Sequence, residues 1–172
     1  IVGESGPDHR RVFQAEVSWN ALVLATGKGK SKKEAEARAA ADRWSAKEPH
    51  KPRFLAGSIG PLNKMLSMSS DVNDPGARLV DFDEVYHAYR DQIRALNEGG
   101  VDLYLIETIT DTLNCKAAIK AIKDLEDEGM EALPIWISCT ITDRSGRTLS
   151  GQTAEAIDYS LSNWRGLTRY LD

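Results

Sequence analysis

Apolar and polar positions alternate with a period of two through VFQAEVSWN, where Val12, Phe13, Ala15, Val17 and Trp19 are interleaved with polar residues. That is the signature of a half-buried strand. ALVLATGKG follows as a second β-prone run, and WNAL can turn between the two, so the pattern predicts an antiparallel hairpin. Ser31 then stands as a helix N-cap with Glu34 three residues on, a capping box. Ala35, Ala39 and Ala40 form a small-residue stripe, which predicts a helix lying flat on the sheet. From Arg53 the rhythm changes. RFLAGSIGP (53–61) is an apolar run ending in glycines. FDEVYHAYRDQIRALNEGG (82–100) carries Phe82, Val85, Tyr86, Tyr89, Ile93 and Leu96 at helical spacing, with Asp81 and Glu84 as its capping box and Gly99-Gly100 as its stop. VDLYLIETI (101–109) reads as a nearly continuous apolar strand. DTLNCKAAIKAIKDLEDEG (111–129) is a second amphipathic helix, with Leu113, Ala117, Ala118, Ile122 and Leu125 on one face. LPIWISCTIT (133–142) predicts a third buried strand, and TAEAIDYSLSNW (153–164) another helix after the turn DRSGRT. Strands apolar on both faces, alternating with helices, argue for parallel βα units and an α/β fold.

Charge divides the chain. Residues 1–45 hold eight Lys/Arg against six Asp/Glu, a balance of +2, within a net charge of −4 for all 172 residues, so the remainder carries −6. A sign change of this kind suggests two functional origins. Two cysteines, Cys115 and Cys139, make neither a disulfide framework nor a metal cluster, and a reducing cytoplasm is the default location. No apolar run reaches membrane-spanning length and no signal peptide is visible. The start at Ile1, directly in strand-like sequence, hints at a fragment.

Two short elements of the basic part can carry chemistry: the turn GPDH (6–9) and KGKSKKEAE (28–36). Lys32 and Lys33 open a helix, where cations oppose the helix dipole. A phosphate backbone would gain from them; the alternative is a solvated lysine cluster. The combination of Gly-Pro-Asp-His, a hairpin, and Gly-x-Gly-x-Ser-Lys-Lys-Glu-Ala-Glu resembles the double-stranded-RNA-binding domain, in the form found at the C-terminal end of ribonuclease III. The resemblance covers about residues 1–40. It implies that His9 reaches into the RNA minor groove and that Lys32 and Lys33 straddle phosphates across the major groove, a shape-based recognition of A-form RNA. The helix that precedes the first strand in that family has no counterpart here, and neither do the acidic metal ligands of a ribonuclease.

In parallel βα folds the polar residues at strand C-terminal ends build the site. Those ends read Gly57-Ser58-Ile59-Gly60, Glu107-Thr108 and Thr140-Ile141-Thr142-Asp143. A carboxylate closing an apolar strand is partly desolvated and wants a cationic partner. For Glu107 that partner is either a substrate ammonium or a salt bridge from a neighbouring element. Asp143 suits a turn or a helix cap. The strings KPRFLAGSIGPLNKMLSMSSDVNDPGARLVDFDEV, GGVDLYLIETITDTLNCKAA and ISCTITDRSGRTLSGQTAEA resemble the homocysteine-binding domain of cobalamin-dependent methionine synthase, over about residues 37–156. That resemblance implies a (β/α)8 barrel and transfer of a methyl group from methylcobalamin to homocysteine, giving methionine. The homocysteine thiol is there ionised on a zinc ion held by three cysteines. By position it implies that Glu107 holds the substrate amino group and that Gly57, Ser58, Gly60 and Thr140 line the pocket. Neither Cys115 nor Cys139 occupies a zinc-ligand position of that family. The expectation is therefore no metal site, no catalytic residue and no cofactor in this chain, although zinc and methylcobalamin serve the full-length family.

Together these patterns predict two segments, 1–40 and 41–172, meeting inside the alanine-rich helix at 34–44. The first is a small α+β hairpin with a helix, a truncated RNA-binding module. The second is a partial (β/α)8 barrel of about three βα units, short of the ~250 residues of a closed one. Open sheet edges favour self-association. The expected partners are homocysteine and, weakly, duplex RNA, with no membrane. Methyl transfer by the chain alone is not expected, and an inactive chimeric fragment is the alternative.

Overall fold

The computed structural model describes residues 1–7, 11–19, 22–141, 144–153 and 155. Its elements run β1 (Gly3–Ser5), β2 (Val12–Trp19), β3 (Leu22–Gly29), α1 (Lys32–Lys47), β4 (Ala56–Ile59), α2 (Phe82–Gly99), β5 (Leu103–Ile109), α3 (Thr112–Asp127) and β6 (Ile135–Cys139). The fold is mixed α/β, with an N-terminal hairpin and helix followed by alternating β and α elements. The chain divides into two compact units: Ile1–Gly57 with Ala95–Tyr104, and Ser58–Arg94 with Leu105–Asp172.

In the first unit β1, β2 and β3 form an antiparallel sheet, with Phe13 opposite Gly29 and Ala15 opposite Gly27. Helix α1 starts as the sequence predicts. Ser31 Oγ accepts from Glu34 N at 3.2 Å, and Glu34 Oε2 accepts from Lys30 N at 3.0 Å. Ala35 and Ala39 are fully buried, one helical turn apart. Ala40 departs from the predicted stripe: it is exposed, because each helical step turns a side chain about 100° from its predecessor. The helix comes very close to β3. A Cβ on Gly27 would lie 2.3 Å from Ala39 N and 2.5 Å from the Ala35 carbonyl, so only glycine fits there.

In the second unit α2 begins with the predicted reciprocal box: Asp81 Oδ1 accepts from Glu84 N at 2.8 Å and Glu84 Oε2 accepts from Asp81 N at 3.0 Å. Val85, Tyr89 and Ile93 are its buried face. Helix α3 buries Ala117, Ala118, Ile122 and Leu125 of the face read from the sequence, whereas Leu113 is only half-buried and Cys115, Ile119 and Ala121 are buried as well.

The second sheet has the order β4-β5-β6, each strand joined to the next through a helix. Flanking hydrogen bonds give the directions. Asp102 N donates to Leu55 O at 2.8 Å just before β5 and β4, and Thr140 N donates to Ile109 O at 2.8 Å at the far ends of β6 and β5. Like ends meet like ends, so the strands run parallel. Only central β5 is largely buried. β6 was expected to be a buried strand, yet Trp136 is 62% exposed and the strand alternates between half-buried and exposed positions. It lies at an edge of the described sheet, with a neighbour on one side only. The described strands make an open sheet. The helix predicted at 153–164 falls outside the described residues except for Thr153 and Glu155. Among the described residues no helix is long and apolar enough to cross a membrane.

Candidate functional site

At the C-terminal end of β5 the chain changes from apolar to polar. Glu107 is half-buried there, and Ser58 Oγ donates a hydrogen bond to its Oε1. Gln92 Nε2 holds the Ser58 carbonyl at 3.2 Å. Among the described residues no cation lies within ion-pair distance of Glu107, so the salt bridge weighed from the sequence is not present there. The next residue, Thr108, has φ of 57°. A β-branched residue in the left-handed region is strained, and such strain concentrates at functional turns.

Of the other residues singled out, Thr140 follows β6 and donates its N–H to Ile109 O, at the same end of the sheet as Glu107. Gly60 has open space where a side chain would project. Gly57 belongs to the first unit, and a Cβ there would meet Val101 and Leu96 side chains at 3.1–3.3 Å, so close packing already demands a glycine. Asp143 lies outside the described residues.

Two residues that the sequence did not single out organise this end of the second unit. Asp111, 2% exposed, caps α3 by accepting from Leu113 N at 2.8 Å. It also accepts from Ser67 N and Ser67 Oγ, both at 2.7 Å. Asn114, 4% exposed, accepts from Leu66 N at 3.0 Å and donates to Lys64 O at 2.9 Å. The segment after β4 is thus clamped onto the start of α3. A second segment docks nearby: Ser150 donates from N (3.1 Å) and Oγ (2.9 Å) to Thr110 O. The available sequence signal was an Asp immediately before an amphipathic helix, which marks a cap. A separate open cleft of about 430 Å³, floored by Leu66, Val80 and Leu113, contains none of the predicted substrate residues.

Zinc needs three protein ligands converging on one point, and among the described residues no group of three or more His, Cys, Asp or Glu could hold a metal ion. Burial, with a smaller contribution from the Cys139 charge, pushes the Cys115 thiol up to about 12, and burial also raises Cys139. A thiol held protonated is a poor nucleophile. The described residues do not fit a zinc site.

In the first unit Lys32 and Lys33 stand exposed on the opening turn of α1. Lys32 Nζ lies 5.8 Å from the centroid of the Phe13 ring and 3.9 Å from Glu4 Oε1. Lys33 makes no ion pair among the described residues. His9 falls outside them.

The sequence model of homocysteine S-methyltransferase matches residues 24–168. The chain belongs to the homocysteine S-methyltransferase family. Its structure is similar to the crystal structure of the homocysteine methyltransferase MmuM from Escherichia coli in the apo form, with a TM-score of 0.53 at 16% identity. The likeness covers 87% of this chain and 50% of MmuM, so the chain spans half the length of that relative. At that identity the likeness speaks for the fold alone. The narrower resemblance to cobalamin-dependent methionine synthase is overturned: the match is to the homocysteine S-methyltransferase family as a whole. The long AGSIGP and LIETITDT strings suit the wider family and were read too finely. The double-stranded RNA binding motif matches residues 1–45, so residues 24–45 of the chain fall within both matches.

Proposed function

We propose that the second unit carries part of a homocysteine site, with Glu107 receiving the substrate ammonium. The Ser58–Glu107 hydrogen bond is the observation that supports this most. It fixes one oxygen of the carboxylate and leaves the other to accept from a cationic group. Ser58, Gly60 and Thr140 supply polar or open backbone at the same strand ends, and Gly57 lets β4 pack closely. In this reading residues 41–172 are a partial (β/α)8 barrel whose open edges favour self-association, residues 1–40 are a separate segment, and unpaired cysteines suit a reducing cytoplasm. The chain binds homocysteine without turning it over, because no described donor set could ionise the thiol. Calorimetric titration with homocysteine tests this. Glu107→Gln is expected to weaken binding about 10-fold, the scale of a hydrogen bond to a charged group. Equal affinity of the two proteins, or methyl transfer to homocysteine by the purified chain, would refute the reading.

A second reading is favoured by the match over residues 1–45: weak binding of duplex RNA through Lys32 and Lys33, with His9 at the turn. Lys33 is exposed and without an ion pair among the described residues, as a phosphate-seeking cation should be. Replacing both lysines by alanine is expected to abolish a salt-dependent shift of duplex RNA.

A further inference from the structure

Within the first unit, carboxylates stand against the basic run that leads into α1. Lys30 Nζ lies 2.8 Å from Glu98 Oε2, on the last turn of α2. Two further links hold the segment that carries Glu98. Arg38 Nη1 donates to both oxygens of Asp102, at 2.9 and 3.2 Å, and its Nη2 donates to Gly100 O. Asp102 in turn accepts from Leu55 N at 2.6 Å. The Arg38–Asp102 pair is partly buried, with side chains 24% and 31% exposed, whereas Lys30 and Glu98 are 52% and 58% exposed. One pair is therefore an anchor and the other an exposed contact that water and ions can enter. Lys28 and Lys33, on either side of Lys30, make no ion pair among the described residues.

We propose that Glu98 is a built-in competitor for RNA phosphate at Lys30. The inference rests on the RNA-binding reading of residues 1–45. A phosphate reaching Lys30 meets a charge that Glu98 already offsets, and it gains the full lysine charge only by displacing that carboxylate. The Arg38–Asp102 anchor keeps Glu98 at a high local concentration beside Lys30, so the competition does not depend on any other molecule. An exposed pair is weak, which makes Glu98 a moderator of affinity and not a block. It also alters the response to salt. A lysine already paired with a carboxylate releases less counterion when phosphate arrives, so the affinity of the intact chain falls less steeply with salt than its lysines alone would dictate.

The test measures binding of a duplex RNA of about 20 base pairs, longer than the span of one such module, across a series of salt concentrations. The full chain is compared with Glu98→Gln, with Glu48→Gln and with the Lys32→Ala/Lys33→Ala double variant. Glu48 pairs with Arg53 at 3.0 Å, away from the lysine run in sequence, and its replacement changes net charge by the same amount. Glu98→Gln is expected to bind about three-fold tighter at low salt, the scale of one exposed ion pair, and to lose affinity more steeply as salt rises, by about one unit of log–log slope. Glu48→Gln is expected to leave both unchanged. An unchanged affinity and slope in Glu98→Gln, with binding lost in the double-lysine variant, overturns the competitor while leaving the RNA reading intact. An equal gain in Glu48→Gln overturns it as a net-charge effect. Full binding by the double-lysine variant removes the RNA reading, and the competitor with it.

Discussion

Among the residues of 1–57 whose side chains are described, the buried apolar ones are Ala15, Ala35 and Ala39, whereas the second unit buries Ile59, Tyr89, Ile93, Ile106, Ile109 and Ile122. The larger buried side chains of the first unit, Val101, Leu103 and Tyr104, come from its later segment. The difference separates two ways of holding a helix to a sheet. In the second unit large aliphatic and aromatic side chains fill the space and remove apolar area from water. Where α1 crosses β3 in the first, glycine and alanine bring the backbones together, and the close approach at Gly27 is the contact itself. The first way stands on bulk and the second on fit, so they should fail under opposite substitutions.

Removing bulk is expected to have the largest effect. Ile106→Ala, at a fully buried position of β5, should destabilise the second unit by about 4 kcal/mol, within the range for emptying such a site. Urea unfolding followed by circular dichroism measures it. A loss below about 1 kcal/mol would show that the site collapses around the smaller side chain and would blur the contrast.

Adding bulk is the converse. Gly27→Ala adds one carbon against backbone atoms of α1, which cannot swing aside as a side-chain tip can. The expected cost is about 3 kcal/mol, at the upper end for overpacking, with faster amide hydrogen exchange in β2 and β3 and little change in α3. If exchange were unchanged in the hairpin, fit at Gly27 would not be what holds the first unit.

The smallest expected effect sharpens the description of the second unit's interior. Cys115 is raised from 9.0 to about 12 by burial, so the folded state keeps a proton that the unfolded state has lost between those two values. Stability from this thiol is whole below pH 9.0 and declines as pH rises toward about 12, with a slope of about 1.4 kcal/mol per pH unit. Cys115→Ala should flatten the alkaline limb of a stability–pH profile relative to the parent chain. Parallel limbs would mean that the thiol titrates in the folded state as it does in the unfolded one.

Local signals were the most legible part of the sequence. The boxes at Ser31/Glu34 and Asp81/Glu84 need only residues three apart, and the centres of the buried faces of α2 and α3 follow from periodicity, while their margins, Phe82, Tyr86, Leu96 and Leu113, are half-buried. β6 misled because an apolar run states what a strand can bury and not what covers it, and Trp136 of WISC is exposed. Ala40 misled because composition was read as a stripe without its angular step. For the candidate site, Glu107 stands out in the sequence by its position at the end of an apolar strand, and its hydrogen bond from Ser58 joins residues 49 positions apart. Asp111 and Asn114 were missed because their partners at Lys64, Leu66 and Ser67 lie 44 to 50 residues away, beyond any local pattern. The wider family was legible in the long strings. The subfamily was not, because the strings suit the wider family and none of them carries a mark of the methyl donor.

The Asn114 clamp has a consequence for proteolysis. Lys64 is exposed and would ordinarily invite trypsin, yet its carbonyl accepts from Asn114 Nδ2 and the amide two residues on is held by Asn114 Oδ1. A protease must draw several residues around the scissile bond into its own cleft, which requires both bonds to open first. Cleavage after Lys64 therefore reports how often the clamp releases, and a nick there marks a molecule whose segment after β4 has already left the start of α3.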